Sequence, residues 1–175
     1  MAEVGTPQEQ ARKAGIKEGA GRALAQGSAL AGGVVLIAIG VLGFVFAGRD
    51  FGIGEALSSQ DLSALEVKDW SNVTHLSVLE VNGWSNVVHL VTGVFLALMS
   101  VTGRAAVLGL TIVGLVYLAT TVVGFLDGSD VLNVMPVNPA DNMLYAVLAG
   151  LALVIALVSG GLLRSARRAN RQTPG

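Results

Sequence analysis

Four apolar stretches alternate with polar segments along this chain, at about Leu24–Ala47, Trp84–Val101, Ala105–Leu126 and Met143–Leu163. None contains Asp, Glu, Lys, Arg or His, apart from His89 in the second. Each is close to or above the ~20 residues that a helix needs to cross ~30 Å of hydrocarbon. The pattern predicts an all-α integral membrane protein, a bundle of four transmembrane helices. Only the short turn Thr102–Arg104 separates the second and third stretches. Those two helices are therefore expected to be antiparallel neighbours. The chain thus divides into a polar tail over 1–23, read as a cytoplasmic tail or a frayed helix leading into the first span, a membrane domain over 24–163 that includes an outer loop over 48–83, and a basic tail over 164–175.

Charge orients this arrangement. With the loops assigned alternately to two sides, one side holds both tails and the Thr102–Arg104 turn, with nine Lys and Arg against three Glu, a net of +6. The other holds residues 48–83 and 127–141, with two basic residues against nine acids, a net of −7. Basic residues near span ends stay cytoplasmic, so both termini are expected inside. The first stretch could also be read as a cleaved signal peptide, basic in front and ending near Val45-Phe46-Ala47. Its 24 apolar residues exceed the roughly 7–15 of a signal core, so it is read as retained. The run Arg164-Ser-Ala-Arg-Arg-Ala-Asn-Arg171 reads as an anchor to anionic lipid headgroups rather than a nucleic-acid site. The expected partners are the lipid bilayer and other membrane subunits or a second copy, with no nucleic acid.

Composition agrees with lipid as the solvent. The chain is 53% hydrophobic with mean hydropathy +0.67, and only 13% charged where soluble domains carry about 25%. Its 23 Gly set against five Phe, two Trp and two Tyr suggest helices packed through small side chains. Small residues recur four apart at Ser28/Gly32, Ala29/Gly33, Ala105/Gly109, Ala146/Gly150 and Ala156/Gly160, where helices in lipid can approach closely.

Two internal repeats stand out. Glu66-Val-Lys-Asp-Trp-Ser-Asn-Val-Thr-His-Leu76 recurs 14 residues later as Glu80-Val-Asn-Gly-Trp-Ser-Asn-Val-Val-His-Leu90. A fainter repeat spans the chain. Gly33, Gly43 and Phe44 match Gly114, Gly124 and Phe125 at an offset of 81, and Val81, Asn82, Asn86 and His89 match Val137, Asn138, Asn142 and Tyr145 at an offset of 56. The chain thus reads as two up-down hairpins related by an axis along the membrane normal. The first copy of the 14-residue repeat precedes no span. It is expected within an amphipathic interfacial helix at about 60–79, burying Leu62, Leu65, Trp70, Val73, Leu76 and Leu79, as a lid or a tolerated duplication.

The polar residues at the outer ends of the second and fourth spans are the candidate site. Asn82 and Asn138 suit helix N-caps, with Pro139 at the first helical position and Asp141 complementing the positive helix end. Trp70 and Trp84 suit the headgroup interface. One turn deeper, Asn86 with His89 and Asn142 with Tyr145 are three residues apart and share a helix face. The two hairpins would bring these four together. Leaving such groups unpaired in lipid costs on the order of several kcal/mol. They therefore read as a hydrogen-bonded clamp, with a small-ligand, metal or haem site as the functional alternative. Three or four metal ligands are not at hand, since only His75, His89 and loop acids are available. Haem held by His75 and His89 is disfavoured by their placement on one interfacial stretch. Asp127 and Asp130 flank a turn and are at best weak Ca²⁺ contributors. There is no Cys, no hydrolase, zinc-protease or nucleotide-loop motif, and no ionised residue at mid-span of the kind that proton relays use. No enzyme activity, metal or cofactor is expected.

Asn82-Gly-Trp-Ser-Asn-Val-Val-His-Leu-Val-Thr-Gly93 and Pro136-Val-Asn-Pro-Ala-Asp-Asn-Met-Leu-Tyr145 resemble the two signature segments of a family of small four-helix membrane proteins. The family is common in actinobacteria and catalogued as domain of unknown function 4383. The resemblance covers roughly Gly33–Gly160. Asn82, Asn86, His89, Gly93, Asn138, Asp141 and Asn142 fit the family positions. Ser85 and Tyr145 stand where the family often has His, so two of its potential metal or haem ligands are absent here. The resemblance implies a protein of the bacterial cytoplasmic membrane and implies no activity. The reading is a structural or accessory subunit of a membrane assembly. The rival is a binding protein or passive conduit that uses Asn86, His89, Asn142 and Tyr145.

Overall fold

A computed structural model describes residues 6–46, 51, 74–76, 79–128, 130–132 and 135–172. Its described elements run α1 (Pro7–Phe46), β1 (Thr74–Leu76), β2 (Leu79–Val81), α2 (Gly83–Met99), α3 (Gly103–Asp127), β3 (Asp130–Val131), β4 (Met135–Pro136) and α4 (Pro139–Gln172). α1 begins well before its apolar run. Thr6 caps it, its hydroxyl accepting from Glu9 N at 3.3 Å, and Pro7 takes the first helical position. The exposed pairs Glu9–Lys13 and Glu18–Arg22, each four apart, add roughly 0.3–0.5 kcal/mol apiece. Much of the polar N-terminal tail is therefore the first turns of α1, and α4 likewise carries its helix through the basic tail to Gln172.

Between α2 and α3 the chain reverses over Ser100–Thr102. Thr102 caps α3 by accepting from Ala105 N at 3.2 Å. α3 ends on Gly128, whose φ of +86° is the left-handed conformation that glycine adopts without strain, and its N–H donates to Gly124 O. The α1–α2 and α3–α4 connections each end in a short antiparallel ladder. β1 pairs with β2 as Thr74–Val81, His75–Glu80 and Leu76–Leu79, and β3 pairs with β4 as Asp130–Pro136 and Val131–Met135. Of the interfacial helix expected at about 60–79, residues 60–73, 77 and 78 lie outside the described residues, and its described end, 74–76 and 79, is strand instead of helix. The physical reason is the start of α2: β2 runs straight into Asn82, an extended N-cap at φ −135°, ψ −176°, and β-branched Thr74 and Val81 suit a cross-strand pair. Leu62, Leu65, Trp70 and Val73 lie outside the described residues.

The helices bury narrow stripes of small residues and turn large ones outward. On α1 the stripe is Ala14, Gly21, Ala25, Ala29, Gly33, Leu36, Gly40 and Gly43, at steps of three, four or seven. On α4, Ala156 is 4% exposed while its neighbour Leu157 is 75% exposed. An apolar exterior over a small-residue interior suits lipid. α1, α3 and α4 are long and apolar enough to cross a membrane, and α2 is apolar but shorter. α1 packs chiefly on α2 and α4, and α3 on α4, while α2 and α3 share less contact despite their short turn. The α1–α2 crossing is backbone on backbone: a Cβ at Gly33 would lie 2.8 Å from Ala97 N and Gly93 O, and one at Gly93 would lie 2.7 Å from Ile37 N. Gly109 packs on Met99, whereas Gly150 faces open space.

Gly33→Ala is expected to lower stability in mixed-micelle unfolding by about 1–3 kcal/mol, the usual range for overpacking. Gly27→Ala, where nothing lies within 4 Å, should be neutral or stabilising in the same assay. Equal effects at the two positions would mean that this crossing does not hold α1 to α2.

Candidate functional site

The two helices that carry the candidate residues start alike. Asn82 accepts from Ser85 N at 3.0 Å, and Ser85 Oγ accepts from Asn82 N at 2.9 Å. Asn138 accepts from Ala140 N at 2.8 Å and Asp141 N at 3.0 Å, while Asp141 accepts from Asn138 N at 3.1 Å. Each is a reciprocal capping box that fixes where its helix begins. β2 reaches β4 and the start of α4, and β4 reaches α2, so the two entrances lie against each other. Trp84 is half-buried. Its Nε1 donates to Phe51 O at 3.2 Å, and its ring meets Phe51 edge-on at 5.2 Å. Trp70 lies outside the described residues.

Past the caps, the four candidate residues divide into two kinds of contact. Asn86 and Asn142 are both buried, and each packs on a glycine of the preceding helix. A Cβ on Gly43 would collide with Asn86 Oδ1, and one on Gly124 would collide with Asn142 Oδ1. Asn142 Oδ1 has no hydrogen-bond partner among the described residues and rests on the Gly124 backbone instead. His89 and Tyr145, by contrast, come together across the bundle with ring centroids 6.0 Å apart.

The residue that joins them is Tyr117 of α3, which the sequence reading did not single out. Its ring stacks on Tyr145 at 5.5 Å and on His89 at 6.1 Å. Its hydroxyl lies 2.9 Å from His89 Nδ1 and 3.1 Å from Thr92 Oγ1. Thr92 Oγ1 also donates to Val88 O at 2.6 Å. One assignment uses each proton once: His89 Nδ1–H donates to Tyr117, Tyr117 O–H donates to Thr92, and Thr92 O–H donates to Val88 O. With the other His89 tautomer, Tyr117 O–H donates to Nδ1 instead. A lone Tyr in an otherwise apolar span was the available signal, and Thr92, three residues after His89, was the second.

Below this cluster, an apolar cavity of about 170 Å³ lies among all four helices, bounded by Leu36, Leu96, Val113, Tyr117 and Ala152. Among the described residues no three His, Asp or Glu gather as metal ligands. The geometry is that of a buried, largely internally bonded contact between helices. The sequence model of one family, described as Domain of unknown function (DUF4383), matches residues 26–158. Nothing among curated proteins or solved structures matches the chain.

Tyr117→Phe removes both hydroxyl contacts and should lower stability by roughly 0.6–1.7 kcal/mol, the range of interhelical hydrogen bonds in membranes. A double-mutant cycle tests the asparagine seats. Gly43→Ala should destabilise by about 1–3 kcal/mol, and Asn86→Ala in the same chain should recover part of that loss. Strict additivity of the two would refute the contact.

Proposed function

The chain belongs to the DUF4383 family, a domain of unknown function, and from that premise we propose that it is a non-enzymatic four-span membrane protein serving as a structural or accessory subunit of a larger assembly. One observation carries the reading: the Tyr117 hydroxyl of α3 is bonded to both His89 and Thr92 of α2, and Tyr145 of α4 packs on Tyr117 and His89. α2, with 17 residues, rises about 25 Å, near the hydrocarbon thickness, which supports a fourth span. The basic ends of α1 and α4 and the Thr102–Arg104 turn support termini on the cytoplasmic side, and the family resemblance implies that the membrane is a bacterial one.

Contacts repeat at the offsets 81 and 56, which supports two related hairpins. Gly33 lies on Ala97 as Gly114 lies on Leu153, and Gly43 seats Asn86 as Gly124 seats Asn142. The Asn82–Ser85 and Asn138–Asp141 capping boxes correspond in the same way. The rival reading, a small-ligand or ion binding protein or a conduit, draws on the cavity beneath Tyr117. Its almost wholly apolar lining favours an apolar molecule over an ion.

His89→Ala is the discriminating variant. It should lower the midpoint of thermal unfolding and cellular abundance, with no bound species lost. A folded variant that releases a ligand would establish the rival. Purification in mild detergent at native expression, followed by mass spectrometry, should recover a stoichiometric membrane partner. A chain that runs alone would end the accessory-subunit reading.

A further inference from the structure

Where α2 turns into α3, α1 and α4 run on past the turn, and a cleft of about 530 Å³ opens among them. Its polar lining comes from three places: Glu18, Arg22 and Gln26 on α1, Thr102 and Arg104 at the turn, and Arg167 on α4. The acceptors near it are largely taken. Arg22 pairs with Glu18, and Gln26 Nε2 donates to Ser100 O and Val101 O, each at 3.0 Å. Thr102 gives its hydroxyl oxygen to Ala105 N and its carbonyl to Ala106 N.

What remains is donors. Among the described residues Arg104 and Arg167 form no ion pair. The amides of Gly103 and Arg104 precede the first intrahelical acceptor of α3, and the helix start adds partial positive charge. Three guanidiniums against one carboxylate leave this cleft at a formal +2. We infer that the cleft binds a phosphate group, which forked guanidinium donors match in geometry as well as charge.

The volume exceeds one phosphate ion and falls within the range of sites for larger ligands. The cleft also sits at the level where the apolar run of α1 begins at Leu24 and that of α4 ends at Leu163. A phospholipid headgroup would lie at that level, and this source rests on the proposed membrane location. Free phosphate offers the same chemistry without it.

Native mass spectrometry of the full chain in detergent, titrated separately with dioleoyl phosphatidic acid, dioleoyl phosphatidylcholine and inorganic phosphate, tests the inference. Phosphatidic acid should be retained over phosphatidylcholine. Arg104→Gln/Arg167→Gln should weaken its binding about tenfold or more, and Arg12→Gln/Lys17→Gln, which removes the same charge on α1 outside the cleft, less than about twofold. Inorganic phosphate bound with that same variant dependence, without lipid, supports the site and makes its source soluble. Equal losses in the two double variants, or no binding of any probe, overturns it. Carbonate extraction of membranes carrying the wild-type chain tests the membrane location separately, and thermal midpoints confirm that both double variants fold.

Discussion

Close approach of helix backbones is the constraint on which the rest of this structure depends. The outer surface is already apolar, so burying more hydrocarbon between helices gains little when lipid is the alternative neighbour. What the interior offers is dispersion contact at short range, and that needs the absence of side chains. Gly33 and Gly93 let α1 and α2 meet at the backbone, and Ala25, Ala29 and Ala106 are fully buried nearby. Most large aliphatic side chains are left to the outside, as Leu98, Leu126 and Leu157 are, and the buried Leu36, Leu96, Leu110, Tyr117 and Tyr145 gather in one core.

The same closeness explains the polar interior. Gly43 and Gly124 each leave a space that an asparagine from the next helix fills, so the seat and the amide specify one another. Those contacts also fix the register of each hairpin, because a shift by one residue would drive the amide into a side chain. The capping boxes set the other end of the register by determining where α2 and α4 begin. Between these two determinants His89 and Tyr145 can only point at the bundle axis, where Tyr117 meets them.

The apolar runs, the reversal near Thr102 and both asparagine caps were legible in the sequence because each depends on local chemistry. The meeting of His89 with Tyr145 was legible through the 56-residue offset. The N-terminal extension of α1 was open between a tail and a frayed helix, because its first turns rest on Thr6 and on ion pairs four apart rather than on hydropathy. The strand at residues 74–76 was masked by likeness: Val73-Thr-His-Leu76 reads almost as Val87-Val-His-Leu90, which is helical in α2. What separates the two is the neighbour, since Thr74–Leu76 has β2 to pair with. Tyr117 was missed because its counterpart 81 residues earlier is Leu36, so the repeat that exposed the other residues hid this one.

If the chain is two related hairpins, that mismatch decides how they pair. Leu36 with His89 in one half correspond to Tyr117 with Tyr145 in the other, so the halves differ where they face each other. A bundle of two identical first halves would bury two imidazoles with no Tyr117 hydroxyl between them. Two identical second halves would lack both the imidazole and Thr92. Only the mixed pair sets the Tyr117 hydroxyl against both His89 Nδ1 and Thr92 Oγ1. Since a buried polar group without a partner is costly, the asymmetry selects against pairing of like halves and for the pairing within one chain. A polar residue that departs from its own repeat can thus specify assembly more sharply than the residues that keep to it.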